Sequence, residues 1–285
     1  MTPDSASVTV RALAFVALFQ AVGAVLFVRI FARELRFSDS VIRRIGITAA
    51  IVAAALLLMH QLMEAARMAD DWSDAMDAEL QALGWTSSTG MFHCAAVLGL
   101  LMISVGMAIR WQNGIRIALA GAALTLGAFL LTGHTSAHAL RWLLAPLLGV
   151  HLLIVAFWFG ALAPLYWVTR RESLDHASRI IQRFSWLAGW MVPVIAIAGI
   201  AMALVLTGAD TTALTQPYGE FLLAKLAIFV LLMFVAAYNK LRLTPALRDS
   251  QHDALGTLRR TIVAEYLMIV AVLSITAALT MLYSP

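Results

Sequence analysis

The strongest constraint on the fold is a series of apolar segments, each long enough to cross a lipid bilayer. A membrane-spanning helix needs about 20 mostly apolar residues. Eight windows of the 285-residue chain meet that condition: Val8–Val28, Ile45–Glu64, Gly90–Ile109, Ile115–Thr132, Leu143–Val168, Phe184–Leu206, Gly219–Asn239 and Thr261–Leu282. The sequence therefore predicts an all-α, polytopic membrane protein with eight transmembrane helices. Residues 1–285 are expected to form a single integral membrane domain with no soluble domain attached.

The composition excludes several other classes of protein. Charged residues make up only 13% of the chain, whereas soluble globular domains contain roughly 25%. The single cysteine, Cys94, rules out an intrachain disulfide and a zinc site built from several cysteines. The formal net charge is +4, but most of the positive residues lie in short loops between apolar segments. The expected partner is therefore the lipid bilayer and not nucleic acid.

The basic residues predict how the helices are oriented. Of the 20 lysines and arginines, 16 lie in four loops that would all open on one side of the membrane. They are Arg29, Arg33, Arg36, Arg43, Arg44, Arg110, Arg116, Arg170, Arg171, Arg179, Arg183, Lys240, Arg242, Arg248, Arg259 and Arg260. The loops on the other side contain Asp70, Asp71, Asp74, Asp77, Glu79 and Asp210. Because basic loops stay in the cytoplasm, both termini are predicted to lie outside.

The order of the helices also permits a division of the chain into two similar parts. The first four and the last four predicted helices run in the same directions, and in each half a long basic loop follows the first helix. No sequence repeat accompanies this pattern. The pattern therefore permits, without requiring, two parallel four-helix halves.

Five of the seven histidines fall in the outward-facing half of the predicted membrane region. They are His60, His93, His134, His138 and His151, whereas His176 and His252 lie in basic cytoplasmic loops. An imidazole in hydrocarbon is unfavourable unless it is paired, ligated or next to a polar cavity, and histidine is the most common metal ligand. The shared depth predicts a metal or cofactor site near the outer surface. A hydrogen bond across a helix interface is the alternative for His60 or His93 taken singly.

Sulfur and carboxylate groups accompany one of these histidines. Met59 and Met63 flank His60, and Glu64 follows it by one helical turn. Thioether and imidazole together are typical ligands of Cu(I), whereas hard divalent cations prefer carboxylates. The predicted metal ligands are His60, His93, His134, His138, His151, Met59, Met63 and Glu64. We further expect His60 and His151 to converge on one cavity in the outer half of the membrane.

A second interpretation of the same histidines is a b-type haem site. Two of His60, His93 and His151 would then ligate the haem iron axially, since helical histidines at similar depth in a bundle suit that chemistry. Such a protein would transfer electrons from quinol or reduce copper. Under either interpretation, a transporter or metal-binding protein is favoured over an enzyme.

Further polar residues fall inside the predicted spans or near their ends. Lys225 lies inside the seventh helix, where it would extend towards the headgroups or neutralise a nearby carboxylate. Glu265 and Lys240 lie near the predicted cytoplasmic boundary, where a charge is easily solvated. Trp158 follows His151 at a spacing that returns to the same helical face, and we expect it to form a wall of the histidine site.

Four segments from residue 133 onwards resemble the copper resistance D family: GHTSAHA, HLLIVAFWFGALAPL, RFSWLAG and PYGEFLLAKLAIFVLLMFVAAYNKLRLTP. The similarity is closest over residues 133–282, and the first half resembles the family in its topology. The positions that match the family's pattern are Gly133, His134, His151, Trp158, Gly160, Gly219, Lys225, Asn239 and Pro245.

This resemblance implies an eight-helix protein of a bacterial inner membrane that transports copper or maintains copper homeostasis. Copper would be taken from the periplasmic side through histidine and methionine ligands. The resemblance also implies His134 and His151 as copper ligands. It further implies, as a partner, a separate periplasmic copper donor similar to the protein CopC.

Overall fold

The protein is described here by a computed structural model that covers residues 2–208, 217–248 and 252–282. The elements in chain order are α1 (Pro3–Phe31), α2 (Asp39–Leu62), α3 (Glu64–Ala69), a 3₁₀ turn (Trp72–Asp74), α4 (Ala78–Thr86), α5 (Ser88–Ala108), α6 (Gln112–Ala128), a second 3₁₀ turn (Phe129–Leu131), α7 (His134–Ala137), α8 (Arg141–Arg171), α9 (Leu174–Thr207), α10 (Pro217–Tyr238), a π-helix (Asn239–Leu243), α11 (Thr244–Arg248) and α12 (His252–Leu282). Within these ranges there is no strand, so the predicted all-α class is confirmed.

Eight helical segments in the described part of the chain are long and apolar enough to cross a membrane, as predicted. The helices are longer than the apolar windows, and α9 begins at Leu174 although its window begins at Phe184. Arg179 and Arg183 lie before the apolar window but inside α9. A helix can extend past the apolar core in this way because long basic side chains reach the polar headgroups. The outward position of both termini stays a prediction.

The central helix of the molecule is α1. In the structure 67% of its apolar window is buried, compared with 6% for the window that includes α10. It packs against α2 and α6 and also against α8 and α12. Gly23 of α1 lies against Gly160 of α8, where a Cβ on either residue would overlap the backbone of the other helix. Small residues allow membrane helices to approach closely, so this crossing joins the two halves of the chain.

The two halves differ in how tightly their helices pack. In the N-terminal bundle (α1, α2, α5 and α6), Gly99 lies against Gly121 and Gly106 against Gly114, which brings α5 and α6 close together. In the C-terminal bundle (α8, α9, α10 and α12), α8 contacts α9 and α12, and α10 contacts α12. Within the described residues, α9 and α10 do not pack closely on each other. The C-terminal bundle is therefore the looser half.

A glutamate connects the two bundles on the side of the basic loops. Glu172, between α8 and α9, accepts hydrogen bonds from the backbone amides of Arg36, Phe37 and Ser38 at 3.1, 2.9 and 2.9 Å. Partial burial acts to raise the pKa of this carboxyl, but the amide hydrogen bonds outweigh burial and lower the pKa below its ordinary value of 4.5. The ionised carboxylate therefore holds the loop before α2 in place.

Candidate metal site

The structure brings together two of the predicted ligands, His60 and His93. His60 lies in the last turn of α2, and His93 lies in the second turn of α5, which Ser87 caps by accepting a hydrogen bond from the Gly90 amide at 3.1 Å. The two histidines are 1% and 2% exposed, and their ring centroids are 5.1 Å apart. An enclosed histidine pair thus lies at the end of the N-terminal bundle opposite the basic loops.

The hydrogen bonds of the histidine pair are incomplete. Nδ1 of His93 lies 2.6 Å from Oε1 of Gln61. Since an amide oxygen only accepts, Nδ1 carries the hydrogen in this arrangement and Nε2 keeps its lone pair. Neither ring nitrogen of His60 has a hydrogen-bond partner among the described residues. Metal-binding histidines usually donate their other ring N–H to an oxygen, and the hydrogen bond to Gln61 gives His93 that arrangement at Nδ1.

The charged groups around the histidine pair balance one another. Oε1 of Glu64 is 3.5 Å from Nδ1 of His60, but the Glu64 carboxylate also accepts hydrogen bonds from Arg67 at 2.9 and 3.1 Å. Arg67 pairs with Asp4 as well, and the Arg11 guanidinium acts electrostatically on both histidines. The formal charges of the two guanidinium groups and the two carboxylates therefore sum to zero. With no net negative charge nearby, the pair is better suited to a monovalent cation than to a divalent one.

The two methionines next to His60 lie in different environments. Met63 is 6% exposed at the end of α2, whereas Met59 is 50% exposed on the outer surface of that helix. Successive residues of an α-helix point about 100° apart, so Met59 and His60 do not share a face. Met63, three residues on, lies on the side of His60. The structure keeps Met63 beside the site and, in contrast to the sequence expectation, directs Met59 away from it.

His151 lies in the C-terminal bundle, away from the histidine pair. Its ring faces Gly199 of α9, and the Lys225 ammonium acts on it electrostatically. Gly160, nine residues further along α8, contacts α1. Nine residues turn an α-helix by about two and a half turns, so His151 is on the face opposite to α1. The expected cavity shared with His60 is therefore not formed. No group of three or more histidine, cysteine, aspartate or glutamate side chains in the described residues could hold a metal ion.

The structure assigns local roles to two of the other histidines. The side chain of His134 lies outside the part that the structure describes, as does that of His252. His138 ends α7, and its Nδ1 accepts a hydrogen bond from the Leu140 amide at 3.0 Å, which gives it a role in the turn. Nδ1 of His176 lies 2.9 Å from the hydroxyl of Ser173, the residue that caps α9.

A polar cluster in the C-terminal bundle has no counterpart among the predicted sites. Glu265 of α12 is 4% exposed and accepts hydrogen bonds from Nε1 of Trp158 at 3.4 Å and from Nδ2 of Asn239 at 2.5 Å. Glu265 is thus buried, and the expectation of a solvated boundary charge is wrong. The signal for it was present in the sequence, because Glu265 falls inside the last apolar window and an intramembrane carboxylate indicates a functional site.

Two family descriptions match the chain. "Copper resistance protein D-like, N-terminal domain" matches residues 1–140, and "Copper resistance protein D" matches residues 178–279. The chain belongs to the copper resistance protein D family. The N-terminal match includes both members of the histidine pair, in the half that the sequence related to the family by topology alone. Membership implies a membrane protein that takes part in copper resistance or copper handling.

The chain is also similar to "Inner membrane protein YebZ" of Escherichia coli (strain K12), with 31% identity over 108 residues. That alignment covers 37% of this chain and 37% of the relative, so it spans little more than a third of either protein. No solved structure matches the chain. The eight membrane-spanning segments and this relative together indicate a multi-pass protein of the inner membrane.

Proposed function

We propose that this protein binds Cu(I) between His60 and His93 and thereby takes up or handles copper from the periplasmic side. The observation that carries the proposal is the enclosed histidine pair, 1% and 2% exposed, in which neither ring nitrogen of His60 has a hydrogen-bond partner among the described residues. A buried polar group without a partner is unfavourable by roughly 1–3 kcal/mol. A metal ion between the rings would remove that penalty, and family membership supports copper as the metal.

The charge of the surroundings favours the monovalent form of copper. Imidazole binds copper readily, and here Arg11 and Arg67 offset the charges of Glu64 and Asp4. A divalent ion would place more uncompensated charge in a water-excluded site than a monovalent ion would. The thioether of Met63, which is 6% exposed at the end of α2, supplies a third, soft ligand.

His151 is left outside the proposed copper site. It entered the predicted ligand set through its depth and through the family resemblance. In the structure its ring faces α9, and the Lys225 ammonium acts on it electrostatically, which opposes the binding of a second cation. We assign it a role in packing and electrostatics within the C-terminal bundle.

The acidic segment between α2 and α5 would attract a copper donor. It carries Asp70, Asp71, Asp74, Asp77 and Glu79. The Ser73 amide donates a hydrogen bond to Asp71 at 2.9 Å, and this bond lowers the pKa of the Asp71 carboxyl, which helps it to stay charged. Opposite charge on a periplasmic donor similar to CopC would speed their encounter. His134 and His138, which follow α6 at the same end of the bundle, would be the first histidines that copper meets.

The test is copper retention by the purified protein in competition with a Cu(I) chelator such as bicinchoninate. We expect stoichiometric copper in the wild type and its loss in His60→Ala and His93→Ala, because two-point ligation does not survive the loss of either ring. Met63→Ala should retain copper more weakly, whereas Met59→Ala and His176→Ala should match the wild type. Equal loss in all five variants, or retention in both His60→Ala and His93→Ala, would refute the site.

An absorption spectrum of the same preparation separates copper from haem. A protein that holds Cu(I) without haem shows no Soret band, because Cu(I) has a filled d shell. The haem interpretation, with two of His60, His93 and His151 as axial ligands, requires a Soret band that disappears when either ligand is replaced. A Soret band with these properties would replace the copper proposal.

A further inference from the structure

A cavity of about 400 Å³ lies between α8, α9, α10 and α12, in the half of the C-terminal bundle that adjoins the basic loops. Its walls are mostly apolar and include the aromatic rings of Trp158 and Phe184. Glu265, Asn239 and Lys240 supply its strongly polar groups. Oδ1 of Asn239 is buried and has no hydrogen-bond partner among the described residues. The cavity therefore offers one acceptor atom that the described residues leave unsatisfied.

The backbone at the polar groups is irregular in a way that is common at functional sites. Asn239 and Lys240 begin the five-residue π-helix Asn239–Leu243, which interrupts the helix after α10. Short π-helical segments are rare, and they occur frequently at functional sites. The Lys240 side chain crosses to Gly189 of α9, where its ammonium occupies the space that a Cβ would need. The π-helix thus presents an amide and an ammonium to the same space.

The chemistry of the lining excludes a bare metal ion and favours a neutral organic molecule. Metal ions need several converging ligand atoms, whereas the described lining of this cavity includes one carboxylate, no histidine and no cysteine, and its Lys240 ammonium opposes a cation. Only Glu265 and Lys240 among the described lining residues have ionisable side chains, one acidic and one basic, so the lining favours no net charge on a ligand. Small-molecule sites typically combine apolar walls with a few placed polar groups. A neutral ligand that both donates and accepts hydrogen bonds matches this arrangement.

A ligand can reach the cavity from the bilayer. Both α9 and α10 line it, yet within the described residues these two helices do not pack closely on each other. Their outer faces are apolar: Trp186, Trp190 and Phe234 are 62%, 66% and 69% exposed. A molecule with an apolar tail could therefore remain partly in lipid while its polar end enters between the helices.

We propose that this cavity binds a neutral, lipid-soluble ring compound that bears hydroxyl groups, the class to which quinols belong. A hydroxyl at one end of the ring donates a hydrogen bond to the Glu265 carboxylate or to Oδ1 of Asn239. Lys240 donates to an oxygen at the other end, and the ring packs against Trp158 and Phe184. The apolar tail leaves between α9 and α10. This binding is independent of the copper site in the N-terminal bundle.

The test uses decylubiquinol as the probe, titrated into the full-length protein in nanodiscs and into empty nanodiscs, with calorimetric detection. We expect saturable binding to the protein. Glu265→Gln should weaken it roughly tenfold or more, since a hydrogen bond to a charged group is lost. Ala236→Phe, which fills the cavity from α10, should abolish binding. His60→Ala should bind decylubiquinol like the wild type, so that failure of the copper site and failure of this cavity are distinguishable.

Matched controls for the two variants lie at exposed positions of α10. Glu220→Gln and Ala224→Phe make the same chemical changes at exposed positions of α10 and should leave binding unchanged. Absence of saturable binding, or equal loss in the control variants, would overturn the proposal. Saturable binding of the cation decyltrimethylammonium in preference to decylubiquinol would also overturn it. If Glu265→Gln does not elute as folded protein in size-exclusion chromatography, Ala236→Phe and Ala224→Phe alone decide the question.

Discussion

The two ends of the molecule hold buried polar groups in opposite ways. At the end of the N-terminal bundle opposite the basic loops, His60 is enclosed by packed helices and neither of its ring nitrogens has a hydrogen-bond partner among the described residues. At the end of the C-terminal bundle that adjoins the basic loops, Glu265 has two N–H donors and borders a cavity of about 400 Å³. An enclosed pair of rings in which His60 is unsatisfied suits a small ion, whereas a satisfied carboxylate beside a cavity suits a larger organic ligand.

The difference originates in how the helices pack. Glycines in α5 and α6 bring backbones into contact and leave little space in the N-terminal bundle. In the described part of the C-terminal bundle, α9 and α10 lack such a close approach. Without a hydrophobic driving force between helices in lipid, small residues determine how closely membrane helices associate. The same eight-helix architecture therefore provides one closed site and one open site.

The largest expected effect comes from breaking the contact that joins the two bundles. Gly23→Leu places a side chain in the backbone of α8 at Gly160. We expect the free energy of unfolding to fall by roughly 3 kcal/mol or more, as for severe overpacking. Thermal unfolding in detergent measures the effect. Gly149→Leu on α8 is the control, because a Cβ there meets nothing within 4 Å. If Gly23→Leu removes only one of the two binding activities, the bundles fold independently.

A second prediction tests whether Gln61 positions His93 as a metal ligand. Gln61→Leu removes the acceptor that orients His93, and loss of such an outer partner typically lowers metal affinity by about 10–100-fold. Cu(I) competition titrations should show that loss while the fold persists. Gln61→Glu keeps an acceptor oxygen and should recover most of the affinity. An unchanged affinity in Gln61→Leu would mean that Gln61 does not position the ligand.

A third prediction compares the two regions by the free energy of unfolding of the copper-free protein. Glu265→Leu leaves the N–H groups of Trp158 and Asn239 without their acceptor and should lower the free energy of unfolding by roughly 1–3 kcal/mol. His60→Leu removes two unsatisfied nitrogens and should leave stability unchanged or raise it by about 1 kcal/mol. Chemical unfolding of both variants measures the contrast. Destabilisation of similar size in both would contradict the difference between the regions.

The smallest expected effect concerns the loop contact at Glu172. Its pKa is lowered in the folded protein, so the stabilisation is present above the unfolded-state pKa and is lost as the pH falls through the lower folded-state pKa. Wild-type stability should therefore decline on acidification below pH 4.5 more steeply than that of Glu172→Gln. Unfolding curves recorded across this pH range check the prediction. Parallel decline of the two proteins would show that other groups dominate.

The sequence by itself determined the number of spans and the end of the bundle at which the outer histidines lie. An apolar run is a local property, and its length against the bilayer thickness decides whether it can span. The order of spans and loops then places His60 and His93 opposite the basic loops. The sequence also pointed to Met63 and His60 together, because three residues return to the same face of one helix.

Only the tertiary structure decided which groups from different helices meet. His60 pairs with His93 and not with His151. The reason is that α8 packs on α1 through the face that carries Gly160, while His151 lies on the opposite face of α8. Trp158 and Glu265 are 107 residues apart and meet only because α8 packs beside α12. Spacing along the chain determines angles within one helix. The rotation of that helix relative to its neighbours depends on the packing of all of them together, and no single segment encodes it.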